Sequence, residues 1–201
     1  MGTTVRNRQT RRSTERGFTL LEVMVAIVVM TVGLLALIAS FAAAITATRS
    51  SQEQLIARQK ALEALESIYT ARNSNEVGFA AINNLPAPGI FSVGPQVLNA
   101  AGADGILGTA DDVPFPANGV CPAGPECVVL PGRDGILGTA DDVPMSLSTF
   151  TRQIQINTVF QADGVTPNPN LRQAVVTVNY TVPGTTLQRS YTVSALISSF
   201  R

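Results

Sequence analysis

From Phe18 to Ala47 the chain is apolar with one charged side chain, Glu22. Val23–Ile45 alone is long enough to cross a bilayer core of about 30 Å. The pattern then changes. Arg49–Asn73, RSSQEQLIARQKALEALESIYTARN, spaces Leu55, Leu62, Leu65 and Tyr69 at steps of seven, three and four, which predicts a buried stripe on one helical face. No proline occurs before Pro86, and Leu, Ala, Glu, Gln and Arg favour helix. One continuous helix from about Phe18 to about Ser74 is therefore expected, apolar all round in its first half and amphipathic in its second. Residues 76–147 are rich in Gly, Pro and Asn and predict loops with short strands. The chain ends in period-two patterns. Ile154 and Ile156, then Val176, Val178, Tyr180 and Val182, then Tyr191, Val193, Ala195 and Ile197 each alternate with polar residues. Pro183-Gly184 predicts the turn between the last two strands, and Asn168-Pro169-Asn170 the loop before them. The expected fold is α+β, an antiparallel meander packed on the amphipathic half of the helix. The expected segments are 1–17, 18–47, 48–75, 76–147 and 148–201. Tyr180 and Tyr191 fall in alternating positions and read as face residues of their strands.

Charge sharpens this division. The 201 residues carry 14 basic and 14 acidic side chains, but Arg6, Arg8, Arg11, Arg12 and Arg16 precede Gly17 against one acid, Glu15. The remainder holds 14 − 5 = 9 basic and 14 − 1 = 13 acidic residues, so it offers no footprint for nucleic acid. The leading arginines predict a cytoplasmic N-terminus and an outward C-terminal domain. Histidine is absent, no nucleophile motif or phosphate loop is present, and an enzyme is the least expected class. Gly33 reads either as a point of close helix–helix approach or as a tolerated glycine in a membrane span.

A lone carboxylate in an apolar span marks pairing or function. RGFTLLEVMVA supplies the context, because it resembles the signal of type IV pilins and pseudopilins: a basic leader, Gly, Phe, then an apolar run with Glu at the fifth mature position. The resemblance implies cleavage by a prepilin peptidase between Gly17 and Phe18. It implies N-methylation of Phe18 and pairing of Glu22 with the N-terminal amine of a neighbouring subunit. It also implies the pilin-like α+β fold, an inner-membrane, single-pass precursor with a periplasmic C-terminal domain, and a minor pilin or pseudopilin role. The partners implied are other pilins and the inner-membrane assembly platform. VGLLAL before a long Ala/Gln/Glu-rich helix, and the closing meander, resemble the type IV pilus modification protein PilV group. A type II secretion pseudopilin and a membrane-tethered binding protein are the alternatives.

Two features of the middle segment carry chemistry of their own. Cys121 and Cys127, in CPAGPEC, fit a small disulfide-closed loop better than two free thiols, given an oxidising compartment. DGILGTADDVP occurs at Asp104–Pro114 and again at Asp134–Pro144, and these copies hold six of the seven aspartates. Their pattern resembles part of a calcium loop. Asp104 with Gly105 and Asp111, like Asp134 with Gly135 and Asp141, align on the fifth, sixth and twelfth EF-hand positions. Ala100, Gly102, Leu130 and Gly132 would take the first and third, where no carboxylate stands. Two readings stay open: a calcium site using Asp104, Asp111, Asp112, Asp134, Asp141 and Asp142, or a duplicated surface turn built on Asp-Gly.

Overall fold

The computed structural model describes residues 17–182 and 186–200. The leader up to Arg16 and the Pro183-Gly184 turn lie outside the described residues. The chain divides into two compact units, Met1–Ile45 and Thr46–Arg201. The first contains the opening part of α1 (Leu20–Asn73), a single 54-residue helix as its pattern predicts. By length and composition α1 is able to cross a membrane. At its far end Asn75 takes the left-handed conformation, φ 68°, and Val77 N–H bonds Ala71 O at 3.2 Å, which turns the chain off the helix.

In the second unit the arrangement is α+β and pilin-like: the long helix is followed by an antiparallel sheet. The strands are β1 (Gln96–Val97), β2 (Cys127–Leu130), β3 (Val143–Ser146), β4 (Phe150–Phe160), β5 (Pro167–Thr181) and β6 (Gln188–Ser198). The main sheet has the order β1-β4-β5-β6, and β2-β3 form a separate pair. The alternation sets the register as expected. Ile154 faces Val176, and Val176 faces Val193. The inward face of β4–β6 is built from Phe150, Ile154, Ala174, Val176, Val178, Tyr180 and Ile197, all buried. Tyr180 stacks on Phe150 with ring centroids 5.4 Å apart. Segment 76–147 adds Ile82, Phe91, Leu98, Ile106, Leu107 and Leu147 to the same core.

Two expectations are corrected. The buried stripe of α1 keeps Leu65 and Tyr69 but not Leu55 and Leu62, which are 64% and 40% exposed. The buried face instead runs through Glu53, Ile56, Ala57, Lys60, Ala61, Ala64, Leu65, Ile68 and Ala71. Leu65 is buried and Tyr69 packs against the core as expected, but small side chains let a helix seat closely against its neighbours, so alanine carries most of the contact while Leu55 and Leu62 point away. The second correction concerns Asn168-Pro169-Asn170, which lies inside β5. The reversal comes earlier, where Gly164 has φ 71° and Asp163 Oδ1 accepts the Val165 and Thr166 amides. Pairing of β5 with β6 begins only at Leu171, so Pro167 and Pro169 lie along a stretch with one strand neighbour, where a missing N–H is tolerated.

Candidate functional site

The sequence points to two places, the start of α1 and the duplicated loop, and each folds for local reasons. Gly17 and Phe18 precede the first helical residue and are exposed, Phe18 at 81%. Thr19 caps the helix: the Glu22 amide donates to Thr19 Oγ1 at 3.2 Å, and the Glu22 and Val23 amides donate to Thr19 O. Thr19-Leu20-Leu21-Glu22 has the spacing of a capping box, a signal readable in the sequence beside the more conspicuous glutamate. Thr19 thereby fixes where helical structure begins and puts Glu22 in the first turn, where a carboxylate is favoured by the helix dipole. Among the described residues the ion pairs join Lys60 to Glu63, Lys60 to Glu126 and Arg152 to Asp112; Glu22 takes part in none of them.

The two DGILGTADDVP copies fold into the same loop. In the first, Asp104 Oδ1 accepts the Ile106 amide at 2.8 Å and Asp112 Oδ2 the Gly108 amide at 2.8 Å. Asp111 accepts the Asp104 amide and, at 2.6 Å, the Thr109 hydroxyl. In the second, Asp134 and Asp142 take the Ile136 and Gly138 amides. Asp141 accepts the Arg133 and Asp134 amides and the Thr139 hydroxyl. The structural unit starts two residues before the sequence repeat. A Cβ on Gly102 or Gly132 would lie 2.2 Å from the Asp111 or Asp141 carbonyl oxygen, respectively. The hydroxyl bond from Thr109 or Thr139 is the chief cause that holds Asp111 and Asp141 below the usual carboxylate range. Among the described residues no three His, Cys, Asp or Glu side chains are grouped so as to hold a metal ion. Two carboxylate oxygens nevertheless stand apart. Asp112 Oδ1 and Asp142 Oδ1 are shut off from solvent without a hydrogen-bond partner.

Identical loops meet different surroundings. Ile106 and Leu107 are buried at 1% and 6%, whereas Ile136 and Leu137 are 60% and 62% exposed. Gly108 lies against Ile154, and Asp112 faces the Arg152 guanidinium at 3.6 Å. Burial pushes Asp112 upward from the usual carboxylate pKa, against the Gly108 amide and Arg152, which pull it down. Between the loops, Cys121 and Cys127 form a disulfide with Cα atoms 5.9 Å apart. It ties the 118–121 turn, where Asn118 Oδ1 accepts two amides, to the start of β2.

Two buried cations, Lys60 and Arg152, gather carboxylates around them, an arrangement that the hydrophobic pattern does not announce. Lys60 is 6% exposed, and its ammonium donates to Glu63 at 2.7 Å and to Glu126. Burial lowers its pKa, but the two carboxylates outweigh that and raise it above the usual value. Arg152 on β4 is 3% exposed and sits in the field of Asp112, Glu63 and Glu126. Only the parity of Arg152 with Phe150 and Ile154 signals that it points inward.

Comparison with known proteins bears on the start of α1. The family model of the prokaryotic N-terminal methylation motif matches residues 12–38. No curated protein and no solved structure matches the chain. The matched segment holds Gly17, Phe18, the Thr19 cap and Glu22, and it points to the type IV pilins and pseudopilins, structural subunits that are processed at this motif and held by an N-terminal membrane helix.

Proposed function

We propose that this chain is a minor pilin or pseudopilin that enters a type IV pilus or a related filament after prepilin peptidase processing. The observation that carries the reading is the methylation motif set on a capped, 54-residue helix long and apolar enough to cross a membrane. Cleavage after Gly17 leaves 201 − 17 = 184 residues and creates an amine on Phe18, one helical turn from Glu22. A neighbour's amine pairing with Glu22 rewards correct axial register, because a misplaced subunit leaves a carboxylate unpaired in an apolar setting. Mass spectrometry of the mature protein is expected to find N-methylated Phe18 at the N-terminus; any other first residue in cells with active peptidase rejects the processing step. Replacing Glu22 with Ala is expected to spare membrane insertion and deplete the subunit from filaments. Normal incorporation of that variant rules out the pairing.

A second reading, a filament-displayed protein whose loops bind calcium, draws on Asp112 Oδ1 and Asp142 Oδ1. A buried carboxylate oxygen without a partner is costly, and a hard cation answers it with oxygen ligands. Asp104, Asp111 and Asp112 in one loop, and Asp134, Asp141 and Asp142 in the other, are the side chains available, completed by backbone carbonyls. Calorimetric titration of the full chain with calcium tests this. Binding heat lost in part on Asp142→Asn supports it, and absence of heat retires it.

A further inference from the structure

Glu53 lies on the buried face of α1 and is 2% exposed. Its Oε2 is closed to solvent and has no hydrogen-bond partner. No ion pair among the described residues includes it, although Arg49 stands one turn earlier on the same helix. Leaving a carboxylate in this condition is strongly unfavourable for an isolated chain, and burial indeed raises its pKa. The residue is not sealed in a core. Together with Arg49 and Gln52 of the same helix it lines a cleft of about 290 Å³ whose opposite wall is the β2-β3 pair, contributing Leu130, Val143, Pro144 and Met145. Val143 is 54% exposed.

We propose that this cleft receives a lysine side chain from a different subunit of the same filament, its ammonium on Glu53 and its methylene stem along Leu130, Val143, Pro144 and Met145. This rests on the assembly reading given above. The chemistry selects the occupant. The apolar β2-β3 wall opposite a buried, unpartnered Oε2 matches a long apolar stem with a compact point charge at its tip. The same helix face already shows the arrangement seven residues on, where Lys60 is buried and paired with Glu126. Lys60 is also the only lysine of the chain. Because it is committed to its own partners, a second copy has no lysine to offer, and the subunit that fills the cleft has a different sequence.

The test uses the full-length chain in assembling cells. Glu53→Gln removes the charge and keeps the shape. In detergent the purified variant is expected to melt at or above the wild-type temperature, since no internal partner is lost. Its amount in sheared filaments is expected to fall at least fivefold. Zero-length carbodiimide coupling of wild-type filaments, read by peptide mass spectrometry, is expected to join Glu53 to a lysine of another subunit. Lower melting of the variant, unchanged incorporation, absence of the lysine crosslink, or coupling to phosphatidylethanolamine instead each overturns the proposal. Wild-type chain in filaments with Glu53→Gln equally abundant rejects the cleft and leaves the assembly reading standing. Wild-type chain absent from filaments rejects both.

Discussion

Ile106 and Ile136 occupy the same position in the same loop, and each amide donates to the aspartate two residues before. They differ in what surrounds the side chain. Ile106→Ala empties a core site and is expected to cost about 2–5 kcal/mol. Ile136→Ala removes an exposed side chain, within about 0.5 kcal/mol of neutral. Gly108 and Gly138 make a matching pair, with φ 87° and 89°. Alanine at either meets left-handed strain of about 1–2 kcal/mol. At Gly108 its Cβ would also stand 2.5 Å from Ile154 Cδ1, while at Gly138 nothing lies within 4 Å. Denaturant unfolding of the four variants is expected to rank both first-loop changes as the more damaging of each pair. The repeat itself was legible in the sequence, as were the turns that Asp-Gly and Gly-Thr impose. Which copy is buried was not, because that depends on Ile154 and Arg152, distant in the chain.

At the scale of elements, period decided what could be read. The β4–β6 alternation places Ile154, Val176 and Val193 on one face without ambiguity, and the structure agrees. In α1 the same logic weighted large leucines and missed an alanine face, since Ala57, Ala61 and Ala64 at 0% exposure carry no obvious hydrophobic signal. The buried charges were hidden for a related reason: lysine and glutamate on a helix read as a solvated surface. The Lys60–Glu126 link between α1 and the segment before β2 therefore yields a distinct expectation. Lys60→Ala leaves the half-buried Glu126 unpaired and is expected to destabilise by about 1–3 kcal/mol. The double variant Lys60→Met, Glu126→Gln is expected to recover much of that loss. A double variant as unstable as the single would show that packing, not charge, holds the contact.

For the whole molecule, the titrating groups set limits of opposite sign. Asp111, Asp141 and Asp163 have lowered folded-state pKa values, each chiefly through a threonine hydroxyl. Their contribution is present above the unfolded carboxylate value of about 3.8 and is lost as pH falls through the folded values. Thr139→Val removes one such hydroxyl and is expected to raise the midpoint of acid unfolding. Asp112 acts in reverse: raised by burial, it favours the folded state when protonated and loses that contribution as pH rises through its folded value. Lys60, raised above 10.5, contributes fully below that value and ceases to contribute as pH climbs through its folded pKa. Acid and alkaline unfolding, followed by circular dichroism on wild type, Thr139→Val and Lys60→Met, checks the signs. An acid midpoint unmoved in Thr139→Val would remove the hydroxyl as the source of the shift.

The duplicated loop also gives the molecule a built-in reference for amide exchange. Gly108 and Gly138 N–H bond equivalent carboxylates at 2.8 and 2.7 Å within identical sequence. Intrinsic exchange chemistry and local hydrogen bonding are therefore matched. A ratio of protection factors near one would mean that both loops open by breaking their own aspartate contacts, whichever surface they rest on. A large ratio would mean that the first loop is released only when the core beneath it opens, so the two amides would separate local from cooperative unfolding in one experiment.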